Sequence, residues 1–261
     1  MRLLKRPARI ERRAPAAAPL PRRLAIVPAF NEQDSVGYVI DEIRSFDPGI
    51  AVLVVDDGSE DRTSEIARLR GVHVVALPFN LGIGAAVQTG FRFARANGFD
   101  IAVQIDADGQ HDPAELPKLF APLETGQADL VIGSRFTGER AYRSSFMRRL
   151  GIRLLALTVS AIAHRRLTDT TSGYRAVNRR GIALFAAEYP YDYPEVEATV
   201  MVIKRRLRVC EVPVRMRERT AGRSSITPLR AVYYIFKVLL ALLVDLFRPR
   251  ERSREVPLED R

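Results

Sequence analysis

Ala51-Val52-Leu53-Val54-Val55-Asp56-Asp57-Gly58-Ser59 and Ile101-Ala102-Val103-Gln104-Ile105-Asp106-Ala107-Asp108-Gly109-Gln110 share one pattern: a short apolar run that ends in acids. Runs this short and this rich in β-branched residues predict strands buried on both faces of a parallel sheet. In open α/β sheets the carboxyl ends of the strands face the ligand crevice. Asp56, Asp57, Asp106 and Asp108 are therefore expected to converge on one cleft. Asp106 and Asp108 are two residues apart, and on a regular strand they would share a face. Paired there, they repel unless a cation sits between them. A hard divalent ion that also grips a diphosphate suits that need. The plainer alternative, solvated strand-end aspartates that cap helices, explains one such cluster more readily than two in one domain.

Outward from these runs, strand and helix alternate. Leu24 to Pro28 reads as a first strand and Ser35 to Phe46 as an amphipathic helix opened by Asp34 or Ser35. Ile50 to Val55, Val72 to Leu77, Ile101 to Asp106 and Asp129 to Ile132 read as strands. Helices at Arg62 to Arg70, Gly84 to Asn97 and Pro113 to Glu124 separate them. This order predicts an α/β fold with a mostly parallel sheet flanked by helices. The second half is less regular. It offers a long helix near Phe146 to Ala163, strands near Tyr174 to Val177 and Val209 to Val214, and helices near 179–187, 195–206 and 228–247.

The chain has 261 residues, 47% of them hydrophobic, enough for one α/β domain with additions. Its formal charge of +10 is uneven, because residues 1–23 carry eight basic side chains against Glu11 alone. Prolines and an alanine run break that stretch, so it is expected to be a disordered basic tail without the apolar core of a signal peptide. The expected domain is 24–220, followed by an apolar helix over 226–247 and a polar tail over 248–261. Cys210 is the single cysteine, which rules out an intramolecular disulfide and fits a reducing, cytoplasmic setting. No run of 18 uncharged apolar residues marks a standard transmembrane helix.

A dinucleotide site would need a glycine-rich turn after the first strand. Here that strand runs into Val27-Pro28-Ala29-Phe30-Asn31-Glu32, which has no glycine, and no P-loop is present. The motifs instead resemble glycosyltransferase family 2, which has the GT-A fold. Carrying the resemblance are Val27 to Glu32, Val54 to Thr63, Asn80-Leu81-Gly82 and Asp106 to Pro113, in the family's order. Val131-Ile132-Gly133-Ser134-Arg135, Asp169 to Arg175 and Val212-Pro213-Val214 with the loop to Ser225 look most like polyprenyl-phosphate sugar synthases of the dolichol-phosphate mannose synthase type. Ser225 stands where family members often carry lysine.

The resemblance implies that Pro28, Glu32, Val55 and Asp57 bind the nucleoside of a nucleotide sugar. Asp57 could accept a base N–H and Glu32 the ribose hydroxyls, although Glu32 could equally offset a helix N-terminus. Asp106, Asp108 and, by family analogy, Gln110 would hold Mg2+ or Mn2+, with Ala107 among the residues that bind the nucleotide sugar. Arg135 has the planar fork to clamp phosphate oxygens, or could serve as a surface ion pair. Asp169 is the carboxylate expected to orient acceptor or sugar, with Glu195 and Glu197 as alternatives.

The acceptor side rests on charge beside apolar surface. Residues 140–180 contain ten arginines against Asp169 as the only acid, and several flank Leu150, Ile152, Leu154, Leu155, Leu157 and Val159. A basic, apolar helix suits an anionic membrane surface and a lipid phosphate. Arg148, Arg149 and Arg153, with Arg219 and Arg223 in the last loop, are the candidate contacts to that phosphate. Ala231 to Phe247 is almost wholly apolar, with Arg230, Lys237 and Asp245 on one narrow stripe. Such a helix lies in a bilayer interface, in a homo-oligomer interface or in the core.

Together these features predict a glycosyltransferase on the cytoplasmic face of the membrane, attached peripherally. The resemblance implies that it moves a hexose from GDP-mannose or a UDP-hexose to polyprenyl phosphate, with inversion. One rival is a family 2 enzyme acting on a polysaccharide or other hydroxyl acceptor, which needs a base. A basic nucleic-acid-binding protein is a second rival, disfavoured because the excess charge sits mostly in one tail and no nucleic-acid motif is present. A catalytically dead membrane adaptor is a third, disfavoured because Asp106 and Asp108 are both retained.

Overall fold

The computed structural model describes residues 20–136, 155–161, 167–191 and 194–217. In chain order they form β1 (Arg23–Ala29), α1 (Val36–Phe46), β2 (Ala51–Asp56), α2 (Thr63–Leu69), β3 (His73–Ala76), α3 (Ile83–Ala96) and β4 (Ile101–Gln104). Then follow α4 (Leu116–Glu124), β5 (Leu130–Ser134), α5 (residues 155–161), β6 (Arg175–Asn178), α6 (Arg179–Ala187), α7 (Pro194–Lys204) and β7 (Val209–Pro213). The expected tails, the apolar helix at 226–247 and the arginines at 148, 149, 153, 219 and 223 lie outside the described residues.

The strands make one seven-stranded sheet in the order β3-β2-β1-β4-β6-β5-β7. Every pairing is parallel except the two made by β6, which runs against β4 and β5. The chain winds outward from β1 through β2 to β3, and α3 then carries it back to β4 on the other side of β1. That reversal creates a switch point between the carboxyl ends of β1 and β4, the place where open α/β sheets bind ligands.

Alternation along the strands divides the core between the two faces. Leu24, Ile26, Leu53 and Val55 face α3, α6 and α7. Ala25, Val27, Val52 and Val54 face α1 and α4. Gly90 lets α3 approach β1 closely, since a Cβ there would lie 2.3 Å from Ile26 Cγ2. Phe91, Phe185 and Tyr189 cluster between α3 and α6 with ring centroids 5.0–5.7 Å apart. Leu155 and Val159 of α5 are fully packed into the same core. The sequence places them on a membrane-facing helix; of the described apolar positions in that group, Leu157 is the exposed one.

Asp129 ties the far edge of the sheet together. Its buried carboxylate accepts from the Arg208 backbone at 2.8 Å, from Arg208 Nε at 3.1 Å and from Asn178 Nδ2 at 2.8 Å. Burial opposes its ionisation, but these bonds and the nearby Arg180 win and hold its pKa down at about 2. An unfolded aspartate titrates near 3.9, so the contribution is complete above that pH and lost as pH falls through about 2. It should be worth roughly 2 kcal/mol at neutral pH. Asp129→Asn is expected to melt lower than the parent at pH 7, with the gap closing between about pH 4 and pH 2 in a calorimetric pH series.

Candidate active site

Three loops meet at the switch point. The β1–α1 and β2–α2 loops are joined residue to residue. Asn31 N–H donates to Ser59 Oγ at 2.9 Å and Asn31 Oδ1 accepts from Glu60 N–H at 2.9 Å. Glu32 N–H donates to Thr63 Oγ1, Gln33 N–H to Asp61 Oδ2, and Arg62 N–H to Gln33 Oε1. Much of the polar spelling in these two motifs therefore joins one loop to the other. Asn31 sits at φ 54°, a conformation asparagine tolerates better than most residues. Glu32 Oε2 accepts from Ser35 Oγ at 2.7 Å at the start of α1.

Asp57 is almost fully buried, and its two oxygens accept the Leu81 and Gly82 N–H groups, each at 2.8 Å. It anchors the Asn80-Leu81-Gly82 segment just past the end of β2, where Pro28 and Val55 are buried at paired positions on β1 and β2. Gly58 permits this approach: it adopts φ 73°, and a Cβ there would lie 2.5 Å from the Phe79 backbone. Asp56 instead supports the turn, accepting from Ser59 N–H and the Ser64 hydroxyl.

The second acidic pair lies in a turn, not on a strand. β4 ends at Gln104, and Asp106 to Gly109 bend away from the sheet with Gly109 at φ 78°. Strand alternation therefore does not relate Asp106 to Asp108; the turn holds them. Asp108 is 6% exposed, and its Oδ1 accepts from Gln110 N–H at 3.0 Å. Asp106 is more open and accepts from Gln104 Nε2 at 3.1 Å. Gly173 lies against it, where a Cβ would be 3.2 Å from Asp106 Oδ2.

The donor chemistry fits a hard divalent cation that takes few protein ligands. Among the described residues no three His, Cys, Asp or Glu side chains gather into a closed metal cage. Mg2+ commonly binds through one or two carboxylates and completes its shell with water and substrate phosphates. Asp106 and Asp108, with Gln110 half-buried at the end of the turn, offer such a partial set.

Arg135 and Asp169 meet each other. Arg135 Nε and Nη2 donate to the two Asp169 oxygens, each at 2.7 Å, and Arg135 N–H adds a third bond at 3.0 Å. Asp169 is 0% exposed, and Thr171 Oγ1 takes another Arg135 donor at 2.8 Å. The sequence reading assigned these two residues separate tasks, and the pairing supplies a third role, fixing the loop from 169 to 173. Arg175, from the same motif, is fully buried and donates to the Ser172 and Glu195 carbonyls. Arg179 and Arg180 pair with Asp100 and Asp129. These three arginines thus do not join a single acceptor-facing basic surface.

Glu195 opens α7 with its carboxyl group near Asp106 and Arg175. Burial, reinforced by Asp106, pushes its pKa up against the opposing pull of Arg175 and Arg135. Sequence reasoning gave no roles to Gln104, His111 and Gly173, and read Arg175 only as one of a basic, acceptor-facing set. His111 stood inside a motif already singled out; Gln104, Gly173 and Arg175 gain meaning only from β6 lying antiparallel beside β4, with Gln104 opposite Arg175.

Comparison with known proteins accords with this geometry. Polyprenol monophosphomannose synthase of Mycolicibacterium smegmatis is 33% identical over 230 residues, covering 84% of this chain and 86% of that protein. Undecaprenyl-phosphate mannosyltransferase of Micrococcus luteus is 35% identical over 215 residues, covering 79% and 88%. Glucosyl-3-phosphoglycerate synthase of Mycobacterium tuberculosis, solved with Mn2+, UDP and glucosyl-3-phosphoglycerate, superposes with a TM-score of 0.64 at 25% identity, covering 86% of this chain and 79% of that one. The fold is accordingly of the GT-A type and the protein is a glycosyltransferase. Residues 24–185 match Glycosyl transferase family 2, and with more than half of the sequence inside that match, the chain belongs to this family.

Proposed function

We propose that the protein transfers a hexose from a nucleotide sugar to polyprenyl phosphate at the cytoplasmic membrane face, with peripheral attachment. The observation that carries this reading is near full-length similarity to enzymes named for transfer to lipid phosphates, above 30% identity in the first two. The strand-end acids at the switch point support the donor half. Pro28, Val55, Glu32 and Asp57 would take the nucleoside, and Asp57 anchors the 80–82 segment. Asp106 and Asp108, with Gln110, would hold Mg2+ or Mn2+, whose charge as a Lewis acid offsets that of the departing nucleoside diphosphate. Ala107 lies buried between the two aspartates. Arg135, fixed by Asp169, presents a preset cation to the phosphates rather than a mobile clamp.

In the transfer, an oxygen of the acceptor phosphate attacks the anomeric carbon in line. The bond to the nucleoside diphosphate breaks, its electron pair leaves with that group, and the configuration inverts. A phosphate monoester has its second pKa near 6 and is largely dianionic at neutral pH, so no protein base is required. Basic residues outside the described region, Arg148, Arg149, Arg153, Arg219 and Arg223 among them, supply the charge for the lipid phosphate and an anionic bilayer.

One observation favours transfer to a hydroxyl instead. A partly buried carboxyl with a raised pKa, such as Glu195, suits a general base. Kinetics separate the two readings. Under the lipid-phosphate reading, kcat/KM rises through about pH 6 with ionisation of the acceptor and then levels off, and Glu195→Gln costs less than about ten-fold. A loss of a hundred-fold or more in Glu195→Gln, with a free polyprenol used as well as its phosphate, would favour the hydroxyl reading.

A further inference from the structure

The acidic turn is held from behind by a histidine that neither the fold nor the transfer reaction has so far needed. His111 is 4% exposed, and its ring stacks on Tyr174 with centroids 4.6 Å apart and planes within 9°. Its Nδ1 accepts the Asp106 backbone N–H at 3.0 Å. A ring nitrogen that accepts carries no proton, so in the neutral ring the hydrogen sits on Nε2. Nε2 lies 3.6 Å from Asp106 Oδ2, beyond hydrogen-bond length but close enough to attract the carboxylate.

The ring itself is fixed on three sides. Tyr174 is fully buried just before β6, and its hydroxyl donates to the Asp112 carbonyl at 2.8 Å. The His111 backbone pairs with Met216 beyond β7, and Arg217 N–H donates to the Gln110 carbonyl at 2.9 Å. Arg217 also bridges Glu42 of α1 and Asp112, with bonds of 2.7 and 2.9 Å. Gln104 and Gly173 confine the Asp106 carboxylate from its other side.

We propose that His111 is a positioning residue of the divalent-cation site, holding Asp106 by its main chain through Nδ1 and by its carboxylate through Nε2. The inference rests on the reading that Asp106 and Asp108 hold Mg2+ or Mn2+. An aspartate bonded at its main chain and attracted at its carboxylate is biased towards one orientation for a cation, and loss of such outer contacts commonly weakens metal affinity about 10- to 100-fold.

Mn2+ itself is the probe, added alone to the full chain and read as loss of its free-ion paramagnetic resonance signal. Melting is followed in parallel. His111→Phe keeps the aromatic stack and loses both nitrogen contacts. His111→Asn keeps an acceptor near Nδ1 and loses the contact to the carboxylate. Asp108→Asn controls for the site. The expected result is Mn2+ binding weakened about ten-fold or more in His111→Phe and by less in His111→Asn, with melting of His111→Phe within a few degrees of the parent. Parental Mn2+ affinity in a folded His111→Phe would overturn the inference alone. If His111→Phe does not fold, parental affinity in His111→Asn overturns it, and an affinity between those of the parent and Asp108→Asn supports it. A parent that binds Mn2+ no better than Asp108→Asn would overturn the cation-site reading, and this inference with it.

Discussion

Asp108→Asn is expected to lower turnover by roughly a thousand-fold while leaving the fold intact. A bound cation is worth several kcal/mol to a departing diphosphate, and each 1.4 kcal/mol or so is a factor of ten in rate. Asparagine retains an oxygen that can accept Gln110 N–H, so the turn can keep that bond while the negative charge goes. Turnover with a saturating nucleotide sugar, measured beside a melting curve, separates charge from structure. Turnover near that of the parent, unaffected by chelators, would remove the cation from the account.

The largest stability effect is expected at Asp169. Truncation to alanine leaves Arg135, itself mostly buried, without the carboxylate that takes three of its donors. Breaking one partner of a buried pair typically costs about 3–5 kcal/mol, because the remaining buried charge loses its main counter-charge. In a domain of this size that is a fall in melting temperature of about 10 °C. The double variant Asp169→Leu with Arg135→Met should recover much of the loss, since no charge is then left unpaired. If Asp169→Ala unfolds at the same urea concentration as the parent, the pair is not what holds the loop from 169 to 173.

Much of this was legible in the sequence because the strongest signals are local. Two apolar runs ending in acids located β2 and β4, and regular alternation with helices located the parallel half of the sheet. Local signals fail where meaning depends on a distant neighbour. The antiparallel course of β6 is set by pairing with β4 and β5, which no periodicity within Arg175 to Asn178 encodes. For the same reason Arg135 and Asp169, 34 residues apart, read as two independent functional groups instead of one buried pair. Asp106 and Asp108 fit a strand template, but β4 stops at Gln104, and the glycine at 109 makes the bend. Charge runs were the least reliable guide. Arg175, Arg179 and Arg180 look alike in sequence, yet one is fully buried on carbonyls and two are tied to separate aspartates.

The central claim, sugar transfer to a lipid phosphate, is tested most directly by identifying the product. Purified protein is incubated with Mg2+ or Mn2+, a panel of GDP- and UDP-sugars, and a short polyprenyl phosphate, and the lipid fraction is analysed by mass spectrometry. The account predicts a polyprenyl phosphate heavier by one hexose residue, formed from one preferred donor and absent with Asp108→Asn. Transfer to a free polyprenol or an oligosaccharide, with the polyprenyl phosphate recovered unchanged, would contradict it.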